Sequence, residues 1–80
     1  MVMTKIEKTL ERMKTNPRDQ RIEDLVRIAD RLGIDHRQPG TSHVTFSHPT
    51  AGSLTVPAHK PIKPIYVRRF LELVDAIEED

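Results

Sequence analysis

The chain has no cysteine and no tryptophan, three aromatic residues, three glycines and no long apolar run. Each absence excludes something. Without cysteine, neither disulfides nor thiolate metal sites can hold a small protein together, and the composition suits a reducing cytoplasm, the expected location. With Phe46, Tyr66 and Phe70 as the whole aromatic complement, recognition by stacking a row of bases is not expected. No apolar segment approaches the roughly 20 residues that span a bilayer, and the first seven residues lack the apolar centre of a signal peptide, so no membrane partner is expected. One absence is local. No Asp or Glu occurs from Arg37 to Leu71, a span that holds Arg37, Lys60, Lys63, Arg68, Arg69 and three of the four histidines. All twelve acidic residues lie outside it, and the formal net charge of +1 conceals this polarity. A cationic, histidine-bearing segment inside an otherwise acidic protein points to a phosphate-rich partner.

What is present reads as one domain covering residues 1–80, with a modest core. Ile6, Leu10 and Met13 recur at helical spacing, and Thr4 with Glu7 fits a capping box, so a first helix starts near Lys5. Asn16-Pro17 stops it. A second helix covers about residues 20–32, with Ile22, Leu25, Val26, Ala29 and Leu32 as its apolar stripe and Gly33 as a left-handed terminator. Three short strands follow, at about residues 34–38, 43–48 and 53–56, separated by turns at 39–42 and 49–52. They suit an antiparallel meander. Alternation turns Ile34, Val44, Phe46, Leu54 and Val56 inward, and Asp35, Arg37, His43, Thr45, Ser47, Ser53 and Thr55 outward. A Lys/Pro-rich connection, residues 58–63, leads to a last helix opened by Pro64 and running to about Glu78, with Val67, Phe70, Leu71, Val74 and Ile77 as its buried stripe. The fold class is α+β. If both core helices cover the apolar sheet face, the other face stays open to water, with His43 beside Arg37 on it.

The ordered set Gly40…Ser42-His43, Phe46, His48-Pro49 and Thr55-Val56-Pro57-Ala58-His59 resembles the HicA family of toxin–antitoxin ribonucleases. The resemblance covers roughly residues 20–77. It implies a fold similar to the double-stranded-RNA-binding domain, α-β-β-β-α, with two helices on one face of a three-stranded antiparallel sheet. Residues 19–78 would form that core, and residues 1–18 an added N-terminal helix and linker. Two departures stand out: Thr41 is inserted into the family's Gly-Ser-His, and Lys60-Pro61-Ile62-Lys63-Pro64 replaces a Gly-rich approach to the last helix. The resemblance implies a metal-independent endoribonuclease that cleaves mRNA, needs no cofactor and is neutralised by a HicB-type antitoxin.

RNA cleavage by the neighbouring 2′-hydroxyl needs a base to take that proton. A histidine, titrating near about 6.5 when unperturbed, is suited to it at neutral pH. Charge developing on the phosphate oxygens needs donors already in place. With the resemblance, His43 is the expected catalytic base. Arg37, Gly40, Ser42, His59, Lys60, Lys63, Arg68 and Arg69 are the candidate RNA and phosphate contacts. Taken on alternation alone, His43 reads first as an exposed strand residue without a task. His48, before Pro49 and on the inward parity, reads as a turn-capping or half-buried residue, and His36 as structural. The strand parities of His43 and His48 differ, which argues against a three-imidazole metal site. Arg68 and Arg69, early in the last helix, oppose its dipole, a local cost that a bound anion would relieve. Two other readings stay open: a non-catalytic RNA-binding module of the same fold, and a protein-interaction domain using the sheet face.

Overall fold

Helix boundaries follow the local chemistry closely. In the computed structural model, which describes residues 5–38, 42–58 and 61–78, helix α1 spans Lys5–Thr15 and stops where Asn16-Pro17 predicts. Thr4, the expected cap, lies outside the described residues. Helix α2 spans Ile22–Leu32, two residues shorter at its start than the pattern suggests. Two contacts account for the difference. The Asp24 carboxylate accepts a hydrogen bond from the Arg21 backbone N–H at 3.0 Å, closing the helix start there. The Gln20 carbonyl is turned away and accepts from the Ile62 N–H at 2.9 Å. At the other end Gly33 takes φ 73°, ψ 23°, and its N–H donates to the Ala29 carbonyl. A Cβ built on Gly33 would meet nothing within 4 Å, so the glycine is required by its backbone angle and not by space. Gly33→Ala should therefore destabilise the protein by about 1–2 kcal/mol, the cost of a left-handed L-residue. Urea denaturation of the two proteins measures it.

Strands β1 (Asp35–Arg37), β2 (His43–His48) and β3 (Gly52–Pro57) form an antiparallel meander in the order β1-β2-β3. The register pairs His36 with Phe46, Phe46 with Leu54, and Val44 with Val56, which gathers the inward residues into one apolar sheet face. Helix α3 spans Pro64–Glu78 and packs on β3, while α2 packs on β1. The result is the expected α+β arrangement, with α2 and α3 supplying the helical cover. Phe46, Val44 and Val56 from the sheet meet Leu25, Ile28 and Ala29 of α2 and Val67, Phe70 and Val74 of α3 in one cluster. Among the described residues no polar or charged side chain is buried, so the core is specified by shape alone.

Three core positions escape the sequence pattern. Ile28 is fully buried although the predicted stripe omits it, because α2 buries a wider arc than its most regular positions. Leu73 is buried on α3 in the same way. Ile62 is fully buried inside the Lys/Pro-rich connection, where no periodicity marks it. Its side chain and its N–H bond to Gln20 pin that connection to the loop before α2. Leu54 is only partly buried, at the edge of the cluster. Helix α1 packs on α3 and contributes Leu10 and Met13 to the core. A Lys14–Asp75 ion pair at 3.5 Å lies at the surface of that contact and contributes little. Among the described residues no helix is long and apolar enough to cross a membrane.

Candidate functional site

His43 is the first residue of β2, exposed, and opposite Pro57 on β3. Its place is held from both sides. The Ser42 carbonyl accepts a hydrogen bond from the Ala58 N–H at 2.7 Å, one step beyond the His43–Pro57 pair. Val44, next along, is buried against Val56. The imidazole thus projects from a hydrogen-bonded strand end on the sheet face opposite the core. On that face Arg37 pairs with Thr45, two residues from His43. Diagonal neighbours of this kind lie about 7–8 Å apart, within reach of a long guanidinium. The Nε of Arg37 lies 3.4 Å from the Asp35 carboxylate, a solvent-exposed pair that leaves the terminal guanidinium nitrogens to other acceptors. Thr45 and Thr55 face each other across the strands, their hydroxyls 3.2 Å apart. The polar face therefore carries, in a row, a histidine, an arginine and two hydroxyls.

The other histidines are placed differently. His48 closes the β2–β3 turn: its Nδ1 accepts from the backbone N–H groups of Thr50 and Ala51, each at 3.3 Å. That matches the turn-capping reading and commits Nδ1 to the acceptor role. His36 lies on the inward parity, with Nε2 2.8 Å from the Asp30 carboxylate and its ring centroid 6.4 Å from that of Phe46. It ties β1 to α2, a structural position. His59, Lys60 and Gly40 lie outside the described residues, as does the inserted Thr41. The residues that His59 follows, Pro57 and Ala58, sit beside His43 and Ser42.

Of the remaining expected cations, Arg68 and Arg69 are not gathered around His43. The Lys63 carbonyl accepts from the N–H groups of Tyr66 and Val67 at the start of α3, and its side chain is exposed. Arg68 and Arg69 are exposed on α3 and line a groove of about 650 Å³ with Ser53, Leu54 and Ile65, the last 51 % exposed. That groove adjoins the turn end of the β2–β3 hairpin, where His48 pairs with Gly52, whereas His43 stands at the opposite end. Five residues of strand separate the two ends, about 17 Å. Arg37 and Ser42 are thus the described candidate contacts nearest His43 in the sheet.

A model of the HicA toxin family of bacterial toxin–antitoxin systems matches residues 22–75. The chain belongs to the HicA toxin family. No curated protein and no solved structure matched the chain. The matched segment begins at the first residue of α2 and ends in α3, so it takes in the whole sheet and leaves α1 outside. Membership assigns the chain to the toxin side of a toxin–antitoxin system and implies an antitoxin partner. The HicA segment carries His43, Arg37 and the polar sheet face, whereas α1 lies outside it.

Proposed function

We propose that this HicA-family protein is a metal-independent endoribonuclease acting on mRNA, with His43 as general base. The observation that carries the reading is the exposure of His43 on an open polar sheet face, at a backbone position paired with β3. A base held in this way loses little freedom when substrate binds, the condition for proton transfer from a positioned group. In the proposed step, one imidazole nitrogen of His43 takes the proton from a ribose 2′-hydroxyl. The 2′-oxygen bonds to the adjacent phosphorus, and the P–O5′ bond breaks. The proton required by the departing 5′-oxygen comes from a donor on the opposite side, a role for which His59 is the candidate. Arg37 neutralises charge on the phosphate oxygens. Ser42 and Gly40, flanking the turn before His43, and Lys60, in the connection, are further phosphate contacts. Lys63, Arg68 and Arg69 steer the strand by charge at longer range.

The same exposure that admits RNA requires a cover when the toxin is held inactive. We assign that cover to a HicB-type antitoxin seated on the polar sheet face. Residues 1–80 act as one domain in this reading, residues 19–78 forming the HicA core.

The purified protein tests the chemistry directly. A single-stranded RNA should be cut to fragments ending in a 2′,3′-cyclic phosphate and a 5′-hydroxyl. An otherwise identical strand with 2′-deoxyribose at the cut position should resist, and EDTA should leave the rate unchanged. Cleavage of the deoxy strand at the same position, or loss of activity in EDTA, would overturn the mechanism. Salt-sensitive RNA binding without any cleavage would favour the non-catalytic module instead.

A further inference from the structure

Three exposed arginines that belong to no part of the His43 face line the junction of α1 and α2. Arg12 comes from the last turn of α1, Arg18 from the connecting loop and Arg27 from the middle of α2. All three line one concavity of about 330 Å³, together with the amides Asn16 and Gln20. That size is at the lower end of the range for small-ligand pockets, roughly 300–1,000 Å³. Among the described residues none of the three guanidiniums has an ion-pair partner. Two carboxylates, Asp19 and Asp24, also line the concavity. Asp24 is already committed to the Arg21 N–H, and Asp19 belongs to the loop itself, at φ 61°. Three like charges brought together from separate elements repel one another, and pairing with the available carboxylates would be the ordinary remedy. Here that remedy is not taken. The arrangement is one that an external anion completes. A guanidinium presents paired N–H donors that match a phosphate group bidentately, and three of them with amide donors suit an anion carrying more than one charge.

We propose that this α1–α2 concavity is a second anion site, which takes the phosphate group of a phosphate ester, supplied either by a nucleotide or by an RNA strand. Six of its eight lining residues, from α1 and the loop after it, precede residue 22, where the HicA match begins, so the site lies mostly outside the matched segment. The proposal does not depend on catalysis by His43. Arg12, Arg18 and Arg27 hold the phosphate; Asn16, whose Oδ1 accepts from the Arg18 N–H, keeps its Nδ2 to donate, and Gln20, whose Nε2 also donates to the Arg18 carbonyl, gives its second N–H to the remaining oxygens.

The test uses the full chain carrying His43→Ala, so that RNA is not consumed. Its ¹⁵N-labelled amides are titrated with adenosine monophosphate, with a 5′-phosphorylated single-stranded oligoribonucleotide and with the same strand bearing a 5′-hydroxyl. The expected result is a set of shifts confined to residues 12–27, distinct from any at residues 42–45. Shifts with the mononucleotide identify a nucleotide site. Shifts with the phosphorylated strand alone identify an RNA end, and equal shifts with both strands an internal phosphodiester. Arg12→Gln combined with Arg18→Gln should weaken that binding at least about tenfold, the loss expected when charge-assisted hydrogen bonds are removed. For an RNA ligand it should also reduce the log–log salt slope by about 0.7 per lost contact. The thermal midpoint serves as the folding control, and Arg18→Gln alone, in the loop, replaces the double variant if that one fails to fold. No shift at residues 12–27 with any of the three probes, or unchanged affinity in a folded variant, overturns the proposal.

Discussion

Cells producing this chain are expected to stop growing as mRNA is lost, and His43→Ala or His43→Gln is expected to abolish the effect. Neither replacement has a side chain that takes up a proton near neutral pH, so the proposed base is removed in both. The fold should survive, because His43 is exposed at the first position of β2 and its neighbours are held through backbone contacts and Val44. General base catalysis contributes about 10²–10⁴-fold, and a toxin slowed by that factor should no longer deplete mRNA faster than it is made. Growth curves and mRNA half-lives after induction measure the effect, with equal protein levels as the control. Continued mRNA loss in both variants at matched levels would remove His43 from the mechanism.

Phe46→Ala should cost about 3–5 kcal/mol of stability, the range for truncating a buried aromatic. The side chain is fully buried, and its ring meets that of Phe70 edge to face, with centroids 5.0 Å apart and an interplanar angle of 67°. Geometry of this kind adds about 0.5–1.5 kcal/mol beyond the area buried. Phe46 also joins every layer: it pairs with His36 and Leu54 across the strands and packs in the cluster that unites α2 and α3. A chain of this length has a total stability of only about 4–12 kcal/mol by the usual per-residue range. The variant should therefore be largely unfolded near 37 °C, with its urea midpoint strongly lowered. A midpoint near the parent's would mean that the Phe46 site refills on truncation. His43→Ala and Phe46→Ala thus separate two neighbours on one strand: the first should remove activity and spare the fold, the second should remove the fold and activity with it.

The alternation His43-Val44-Thr45-Phe46-Ser47-His48 was enough to assign each side chain to a face, because side chains on a strand project with period two whatever the partner strands do. The same holds for Gly33, whose left-handed conformation ends α2 by local sterics, and for Asn16-Pro17, which ends α1. His48 as a turn cap was readable too, since its partners are two and three residues away. Ile62 was not readable. Its burial depends on the loop before α2, some forty positions distant, and a lone isoleucine between two lysines and two prolines has no period to betray it. Cationic character was legible as a span without acidic residues, but charge along a chain does not say where the side chains go.

By itself, then, the sequence determined the element order, the inward and outward faces of the sheet, the exposure of His43 and the family likeness. All of these rest on interactions within a few residues or on motifs contiguous in the chain. The strand faces already put Arg37 beside His43; only the tertiary structure decided the register, with Arg37 opposite Thr45, and the removal of Arg68 and Arg69 to a groove at the far end of the hairpin. It alone brought Arg12, Arg18 and Arg27 to one concavity. The reason is the same in each case. Strand register and helix docking are set by the summed packing of Phe46, Phe70, Leu25, Ile62 and their neighbours, and the charged groups are carried to wherever that packing leaves them.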